Sequence, residues 1–186
     1  ASKTSPNDRP GFNFAMINST NDFTPPKTNH RTRVFALIAF MVLCLSISAF
    51  GGAVTATSVN DWYATLEKPF FNPPNWLFAP VWTAIYFMIA FSGWRVWLKR
   101  GLKNAKGPFA IYGAQLALNL LWSFLFFGAQ SPILGLINII ALLTLIVINT
   151  IIFFRLDRLA GVLLLPYVAW VGFACLLNAA IWHLNG

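Results

Sequence analysis

The stretch Ile133–Phe154 reads ILGLINIIALLTLIVINTIIFF and contains no Asp, Glu, Lys or Arg. An α-helix needs about 20 consecutive apolar residues to cross the hydrocarbon core of a bilayer. The apolar residues run continuously instead of alternating with polar ones, which excludes a strand of a membrane β-barrel. The stretch therefore predicts a transmembrane α-helix.

Four further runs of the same kind flank this stretch. They are Val34–Ala56, Phe78–Leu98, Phe109–Ala129 and Gly161–Leu184, with Pro or Gly marking boundaries at Pro80, Gly107-Pro108, Pro132 and Gly161. Each helix satisfies its own backbone hydrogen bonds, which lipid cannot do. We therefore predict an all-α integral membrane fold, a bundle of five transmembrane helices over residues 34–186, and we number these spans one to five.

The composition agrees with a protein that lies in the bilayer. Hydrophobic residues make up 58% of the chain and charged residues 10%, whereas soluble domains carry about 25% charged residues. The net charge of +8 would fit a nucleic-acid-binding protein. The charges lie at the ends of the apolar runs, however, so we predict the lipid bilayer and no nucleic acid as a partner.

Residues 1–33 differ from the rest of the chain. They are polar, rich in Asn, Thr, Ser and Pro, and show no periodicity. Such a segment cannot bury enough apolar area to offset its ordering entropy. We predict a flexible N-terminal tail.

The positions of Lys and Arg predict the orientation in the membrane. One side carries ten of them, and the other side carries only Lys68. The ten are Lys27, Arg31, Arg33, Arg95, Lys99, Arg100, Lys103, Lys106, Arg155 and Arg158. Cytosolic loops of membrane proteins carry the excess of positive charge. The N-terminus is therefore predicted in the cytosol and the C-terminus outside.

One loop, residues 57–77 between the first and second spans, is much longer than the others. It contains three prolines, which stiffen it, and several aromatic residues, including Trp62, Tyr63 and Trp76. These aromatics fit an interfacial belt at headgroup depth. They fit equally well a lid over a cavity between the helix ends, since long loops often carry function.

Three spans each carry aromatic or amide side chains at helical spacing. The stripes are Trp82 and Tyr86 in the second span, Gln115, Asn119 and Trp122 in the third, and Trp170, Ala174 and Asn178 in the fifth. Residues three or four apart share a helix face. Spacing alone favours interhelical packing for any one of them. Taken together they also fit a pocket for a planar, largely apolar ligand.

Machinery for other chemistry is missing from the sequence. No Asp, Glu, Lys or Arg lies near the middle of a span, where ion-coupled transporters place such groups. His30 and His183 lie at helix ends, and Cys44 and Cys175 have no metal-binding spacing. We predict no metal site, no covalently bound cofactor and no acid–base catalytic residue.

Three blocks of motifs occur in order along the chain. They are Trp62-Tyr63, Leu66, Lys68-Pro69, Pro73-Pro74, Trp76, Phe78, Pro80-Val81-Trp82 and Tyr86; then Gln115-Leu116, Leu118-Asn119, Trp122-Ser123 and Phe126-Phe127; then Leu164, Pro166-Tyr167, Ala169-Trp170, Phe173-Ala174, Leu177-Asn178 and Ile181-Trp182. In these motifs the chain resembles the translocator protein family, also called the tryptophan-rich sensory protein or peripheral-type benzodiazepine receptor family. The resemblance covers about residues 34–185.

The resemblance implies a five-helix bundle, often a homodimer, which acts as a membrane receptor or sensor in tetrapyrrole regulation or stress response. It implies that porphyrins such as protoporphyrin IX, or other hydrophobic small molecules, bind among the helices under the long loop. The expected binding residues, carried over by motif or taken from the stripes, are Trp62, Tyr63, Trp82, Tyr86, Asn119, Trp122, Trp170, Ala174 and Asn178.

The family also implies two alternatives. Some bacterial members promote light-dependent porphyrin breakdown, in which Trp82 and Trp170 would be the photochemical residues. The other alternative is transport of porphyrin or other lipophilic molecules across the bilayer. Animal members carry a sterol motif with a Tyr and a basic residue after the equivalent of Asn178. This chain continues Ala179-Ala180-Ile181-Trp182-His183, which implies a bacterial type in the cell envelope.

Overall fold

The structure, a computed structural model, describes residues 29–186. The prediction of a flexible tail therefore lies outside the described residues for positions 1–28. The first helix begins at His30, four residues earlier than predicted, so positions 30–33 are helical. Asn29 caps this helix, because its side-chain oxygen accepts a hydrogen bond of 2.8 Å from the Thr32 amide. The cap satisfies one of the free N–H groups at the helix start.

Five helices are long and apolar enough to cross a membrane. They are α1 (His30–Ala56), α3 (Phe78–Asn104), α4 (Lys106–Ser123), α5 (Pro132–Leu156) and α6 (Arg158–Asn185). The loop between α1 and α3 contains the short helix α2 (Trp62–Thr65) and a 3-10 turn (Asn75–Leu77), and α4 continues as a π-helical segment (Phe124–Gly128). Every regular element within residues 29–186 is helical, which confirms the predicted all-α, five-span fold.

The predicted helix ends differ from the observed ones at positions where charged residues follow an apolar run. The helix α3 continues past Leu98, since its charged side chains reach water, and it kinks at Gly101 (φ 67°, ψ 165°) before it ends at Asn104. The prediction of a boundary at Gly161 is wrong, because this residue lies within the first turns of α6. A Cβ atom at Gly161 would overlap the Phe154 ring. Gly161 therefore serves close packing between α5 and α6.

The five long helices pack unevenly. The pair α5 and α6 has the most extensive contact, and α1 packs mainly against α3, with smaller contacts to α4 and the π-helical segment. The most apolar part of α1 is also the least buried of the five. Aromatic rings fill the core between the other helices, including Tyr112 stacked on Phe153 with ring centroids 5.9 Å apart. The bundle therefore has one peripheral helix, α1, most of whose surface the rest of the protein leaves uncovered.

The two ends of the bundle differ in chemistry. One end, here the charged end, has nine of the ten Lys and Arg residues found in positions 29–186, and the opposite end, here the lid end, has the long loop and Lys68. At the charged end Asp157, whose side chain is 1% exposed, accepts two hydrogen bonds from Arg95 at 3.0 and 2.9 Å and pairs with Lys99 at 2.7 Å.

Asp157 also caps α6, because its carboxylate accepts a hydrogen bond of 2.7 Å from the Ala160 amide. Burial opposes ionisation of this carboxyl group. The hydrogen bonds from Arg95, Lys99 and the Ala160 amide outweigh burial, so the pKa of Asp157 is lowered below its ordinary value. Asp157 therefore ties the end of α3 to the turn between α5 and α6.

Candidate functional site

A cavity of about 390 Å³ lies among the helices at the lid end. Its walls come from α1, α3, α4, α5, α6 and the π-helical segment, and the loop of residues 57–77 covers it. Most of the lining is apolar or aromatic. The volume falls in the range of small-molecule pockets, about 300–1,000 Å³.

The structure brings eight of the nine predicted site residues to this cavity. They are Tyr63, Trp82, Tyr86, Asn119, Trp122, Trp170, Ala174 and Asn178. The three stripes seen in the sequence therefore face one another across one space. The contact of these residues with a ligand, and the photochemical role of Trp82 and Trp170, stay predictions.

Trp62 is the exception, because it is not among the residues that line the cavity. Its half-buried indole instead packs edge-on against Phe126, with ring centroids 5.5 Å apart. Its neighbour Tyr63 takes the inward position. In the short helix α2 two adjacent residues point about 100° apart, so only one of them can face the cavity.

A chain of hydrogen bonds forms the polar floor of the cavity. The Tyr86 hydroxyl donates to Asn119 Oδ1 at 2.5 Å, and Asn119 Nδ2 donates to the Tyr167 hydroxyl at 2.7 Å. Tyr167 in turn donates to Gln115 Oε1 at 2.8 Å. The chain links α3, α4 and α6 and fixes the side chains of Tyr86 and Asn119. Of these four residues, Tyr86 and Asn119 line the cavity, whereas Tyr167 and Gln115 lie behind it.

Trp122 and Asn178 form a second polar group on the cavity wall. Trp122 Nε1 donates to Asn178 Oδ1 at 3.1 Å, and Asn178 Nδ2 donates to the Pro132 carbonyl at 2.8 Å. The Trp122 ring stacks on Phe126, with centroids 5.1 Å apart and an angle of 17°. Both side chains are therefore held in place by the protein itself and give the wall a fixed shape.

Trp82 and Trp170 present their rings differently. Trp82 packs against Tyr86 and Tyr167, with ring centroids 5.8 and 6.3 Å apart. Trp170 packs against Phe78 and Phe173 at 5.9 and 5.7 Å. The indole N–H of Trp170 is buried and has no hydrogen-bond partner among residues 29–186. An unpaired buried donor costs free energy, so this N–H marks a locally unfavourable point in the packing around Trp170.

The π-helical segment supplies cavity residues that stripe spacing did not identify. The Ala129 amide donates to the Phe124 carbonyl at 2.7 Å, five residues back, which widens the helix here. Phe126 and Phe127 are both buried and both line the cavity although they are adjacent. Regular α-helical spacing does not place neighbours on one face, and no sequence signal marks a π turn. Gly51 and Ser123 also line the cavity, where α1 approaches α4. The stripes did not include them, because helical spacing does not show which faces of two helices meet.

Three sets of hydrogen bonds hold the loop over the cavity. Ser58 Oγ donates to the Phe127 carbonyl at 2.9 Å, and the Tyr63 hydroxyl donates to Asn72 Oδ1 at 2.9 Å. Asn185, at the end of α6, accepts from the Glu67 amide and donates to the Glu67 carbonyl, both at 2.9 Å. The loop is therefore fastened to the π-helical segment and to α6, and the lid interpretation describes its geometry.

Two side chains of the lid have their polar groups engaged within it. Burial raises the pKa of Tyr63 above its ordinary value, although the hydrogen bond with Asn72 acts in the opposite direction. The phenol is therefore protonated and a donor at neutral pH. Lys68 Nζ donates to the Leu66 carbonyl at 2.8 Å and lies 4.9 Å from the centre of the Tyr63 ring. The ammonium group thus stabilises the lid from within.

The described lining residues include no Asp, Glu, Lys, Arg or His. Positions 29–186 also contain no group of three or more His, Cys, Asp or Glu residues that could hold a metal ion. The chemistry that the lining offers is therefore dispersion, aromatic stacking and hydrogen bonding by neutral groups.

Comparison with known proteins agrees with this architecture. The model of the TspO/MBR family matches residues 40–183. The chain is 47% identical to the Tryptophan-rich protein TspO of Archaeoglobus fulgidus, over 82% of this chain and 98% of that protein.

Two further relatives carry different names. The chain is 36% identical to the Tryptophan-rich sensory protein of Cereibacter sphaeroides, over 77% of this chain and 91% of that protein. It is 35% identical to the human Translocator protein, over 67% of this chain and 75% of that protein. The family match covers all five spans, and the relatives match over most of their own length. The chain therefore belongs to the TspO/MBR family.

Proposed function

We propose that this protein is a membrane receptor that binds porphyrins and related flat, largely apolar molecules in the cavity beneath the lid. One observation carries the proposal: the indole rings of Trp82, Trp122 and Trp170 come from three separate helices and line the same cavity. Flat aromatic walls suit a flat conjugated ligand, which gains stacking and edge contacts beyond its area burial. The name of one relative, Tryptophan-rich sensory protein, agrees with a sensor role, and we propose that this role lies in tetrapyrrole regulation or stress response.

The polar groups of the cavity support the same ligand class. The polar side chains that line the cavity are neutral, and they include the amides of Asn119 and Asn178. A metal-free porphyrin needs no histidine ligand, and no histidine lines the cavity. The ligand would thus be held by stacking and a few neutral hydrogen bonds.

The experiment is a titration of the full chain in detergent or nanodiscs with protoporphyrin IX, followed by porphyrin absorbance and fluorescence. We expect saturable binding, and about tenfold weaker binding when Trp82→Phe and Trp170→Phe are combined, because part of the stacking area is lost. The matched control combines Trp76→Phe and Trp182→Phe, two exposed tryptophans outside the cavity. Equal affinity of the two double variants would place the porphyrin elsewhere.

We also infer that the charged end of the bundle faces the cytosol. Nine of the ten Lys and Arg residues in positions 29–186 lie at that end, as the positive-inside rule requires. The test uses intact cells and a membrane-impermeant maleimide, with Cys44 and Cys175 replaced by Ala. Ala64→Cys at the lid end should react directly and Asn104→Cys only after permeabilisation. The reverse pattern would invert the orientation.

A further inference from the structure

Six residues of the cavity lining are also exposed on the outside of the bundle. They form two rows with a spacing of four residues: Gly52 and Ala56 on α1 with Asn60 in the turn that follows, and Asn75 in the 3-10 turn with Ala79 and Thr83 at the start of α3. The remaining lining residues are buried or half-buried. Residues four apart share one helix face. The two rows are therefore the edges of an opening between α1 and α3, which we call the side slot.

The slot is open because its edges are small. No atom lies within 4 Å of the position that a Cβ at Gly52 would take. Towards the charged end the same two helices close tightly, since a Cβ at Gly93 would lie 2.9 Å from Phe40 and from Tyr112. There Trp94 Nε1 also donates to the Arg33 carbonyl at 2.9 Å. The seam between α1 and α3 is thus closed in one half and open only beside the cavity.

The other route into the cavity is obstructed. The lid is fastened by Ser58 to the Phe127 carbonyl and by Asn185 to the backbone of Glu67, and Tyr63 is bound to Asn72 within it. Passage through the lid would break several of these bonds, whereas passage through the side slot breaks none of them.

The surface around the slot is apolar, as expected of a surface in contact with lipid. Phe50 on α1 and Phe87 on α3 are 66% and 45% exposed. The polarity of the residues at the slot changes along its length. The amides of Asn60 and Asn75 lie at its lid end, where they have no side-chain hydrogen bond to another residue within 29–186, and Ala56 and Ala79 lie deeper. This gradient matches an amphiphile whose polar end stays at headgroup level.

We propose that the ligand enters the cavity sideways from the bilayer through the side slot, as a lipid-dissolved amphiphile with its polar end at Asn60 and Asn75. This inference rests on the proposed function, because it concerns how that ligand reaches the cavity. It makes the membrane, and not the surrounding water, the source of the ligand.

The test compares two double variants in phosphatidylcholine nanodiscs, with protoporphyrin IX as the probe. Ala56→Leu with Ala79→Leu fills the slot. Ala53→Leu with Ala84→Leu adds the same bulk at exposed positions on the same helices that do not line the cavity. Association is followed by stopped-flow tryptophan quenching, and dissociation by transfer to excess vesicles. We expect the slot variant to slow association about tenfold, and the control to match the wild type in both rates.

Each other outcome has a distinct meaning. Unchanged rates in the slot variant, with normal binding, would overturn the side entry and leave the proposed function standing. Weaker affinity with an unchanged association rate would make the two rows part of the bound-state contact and would equally overturn it. No saturable binding by the wild type would remove the proposed function, and the side entry with it.

The orientation of the ligand has its own readout. The wild type should bind the free acid of protoporphyrin IX faster than its dimethyl ester, since the carboxylates accept hydrogen bonds from Asn60 and Asn75 during entry. Replacing both amides, Asn60→Leu with Asn75→Leu, should remove this preference. A preference that survives in this variant would contradict a polar end at these two residues.

Discussion

Asn119 joins two tyrosines in the interior of the bundle, and its amide also lines the cavity. Its oxygen accepts from Tyr86 and its nitrogen donates to Tyr167. Both bonds lie where lipid and packed side chains exclude water. Interhelical hydrogen bonds in membranes are worth about 0.6 kcal/mol on average, and an unpaired buried group costs about 1–3 kcal/mol. Asn119 is therefore both a structural residue and the polar floor of the site.

Asn119→Ala should lower the free energy of unfolding by about 1–2 kcal/mol, because the Tyr86 hydroxyl loses its acceptor and the Tyr167 oxygen loses its donor. It should also weaken protoporphyrin IX binding. The control is Asn138→Ala, since Asn138 is equally buried, donates to the Leu118 carbonyl at 2.9 Å and does not line the cavity. Thermal unfolding should show both variants destabilised, and titration should show only Asn119→Ala impaired in binding. Equal binding by both would leave Asn119 a purely structural role.

Single residues also mark the limit of what sequence predicts. Helical spacing correctly grouped Trp82 with Tyr86 on one helix face, because a regular helix fixes which residues share a face. Spacing alone favoured interhelical packing for each of them, and the family resemblance implied the pocket at which the structure places both. Trp62 lies outside the long helices, in a loop whose path depends on contacts with distant segments. Its side chain accordingly turns to Phe126 and away from the cavity.

Among the elements, the lid depends on a partner at the far end of the chain. Asn185 binds both backbone groups of Glu67, 118 positions away in sequence. Asn185→Ala should raise amide hydrogen exchange in residues 62–77 about tenfold, because two hydrogen bonds that resist local opening are lost. Asn104→Ala is the control, since Asn104 also lies at a helix end but bonds only to Arg100 of its own helix.

The same pair of variants separates the two routes into the cavity. If the ligand enters through the side slot, loosening the lid with Asn185→Ala leaves the association rate of protoporphyrin IX unchanged. A faster association in Asn185→Ala than in Asn104→Ala would point to entry through the lid.

At the charged end, Asp157 makes stability depend on pH. The pKa of Asp157 is lowered in the folded protein, so its carboxylate stabilises the fold above the unfolded pKa of about 3.9. That contribution is lost as the pH falls from there towards the folded pKa. Asp157→Asn should cost about 2 kcal/mol at neutral pH, less than the loss from a fully buried pair, because Arg95 and Lys99 are partly exposed.

Thermal unfolding between pH 7 and pH 3 measures this effect. The wild type should lose more stability than Asp157→Asn below about pH 4. Asp61→Asn is the control, because Asp61 is exposed and has no ion-pair partner among residues 29–186. A parallel decline of wild type and Asp157→Asn would mean that other groups set the acid sensitivity.

For the molecule as a whole, the bundle has one peripheral and little-buried helix, α1, and the cavity opens beside it. The sequence does not predict this position of the opening. Because α1 is apolar on nearly every side, no amphipathic pattern indicates which of its faces meets α3. The asymmetry arises because Phe40 packs closely at Gly93, whereas Gly52, Ala56 and Ala79 leave space in the other half. The homodimer expected from the family resemblance stays a prediction.

The sequence by itself determined the membrane-spanning character, the five helices, the grouping of charge at one end and the residues that share a face within each helix. These follow from local properties, namely run length, hydropathy and helical period. Only the tertiary structure decided that the stripes meet in one cavity, that a π turn brings Phe126 and Phe127 into its wall and that a slot stays open between α1 and α3. These features depend on which helix faces pack together and how closely, and such contacts join residues far apart in the chain.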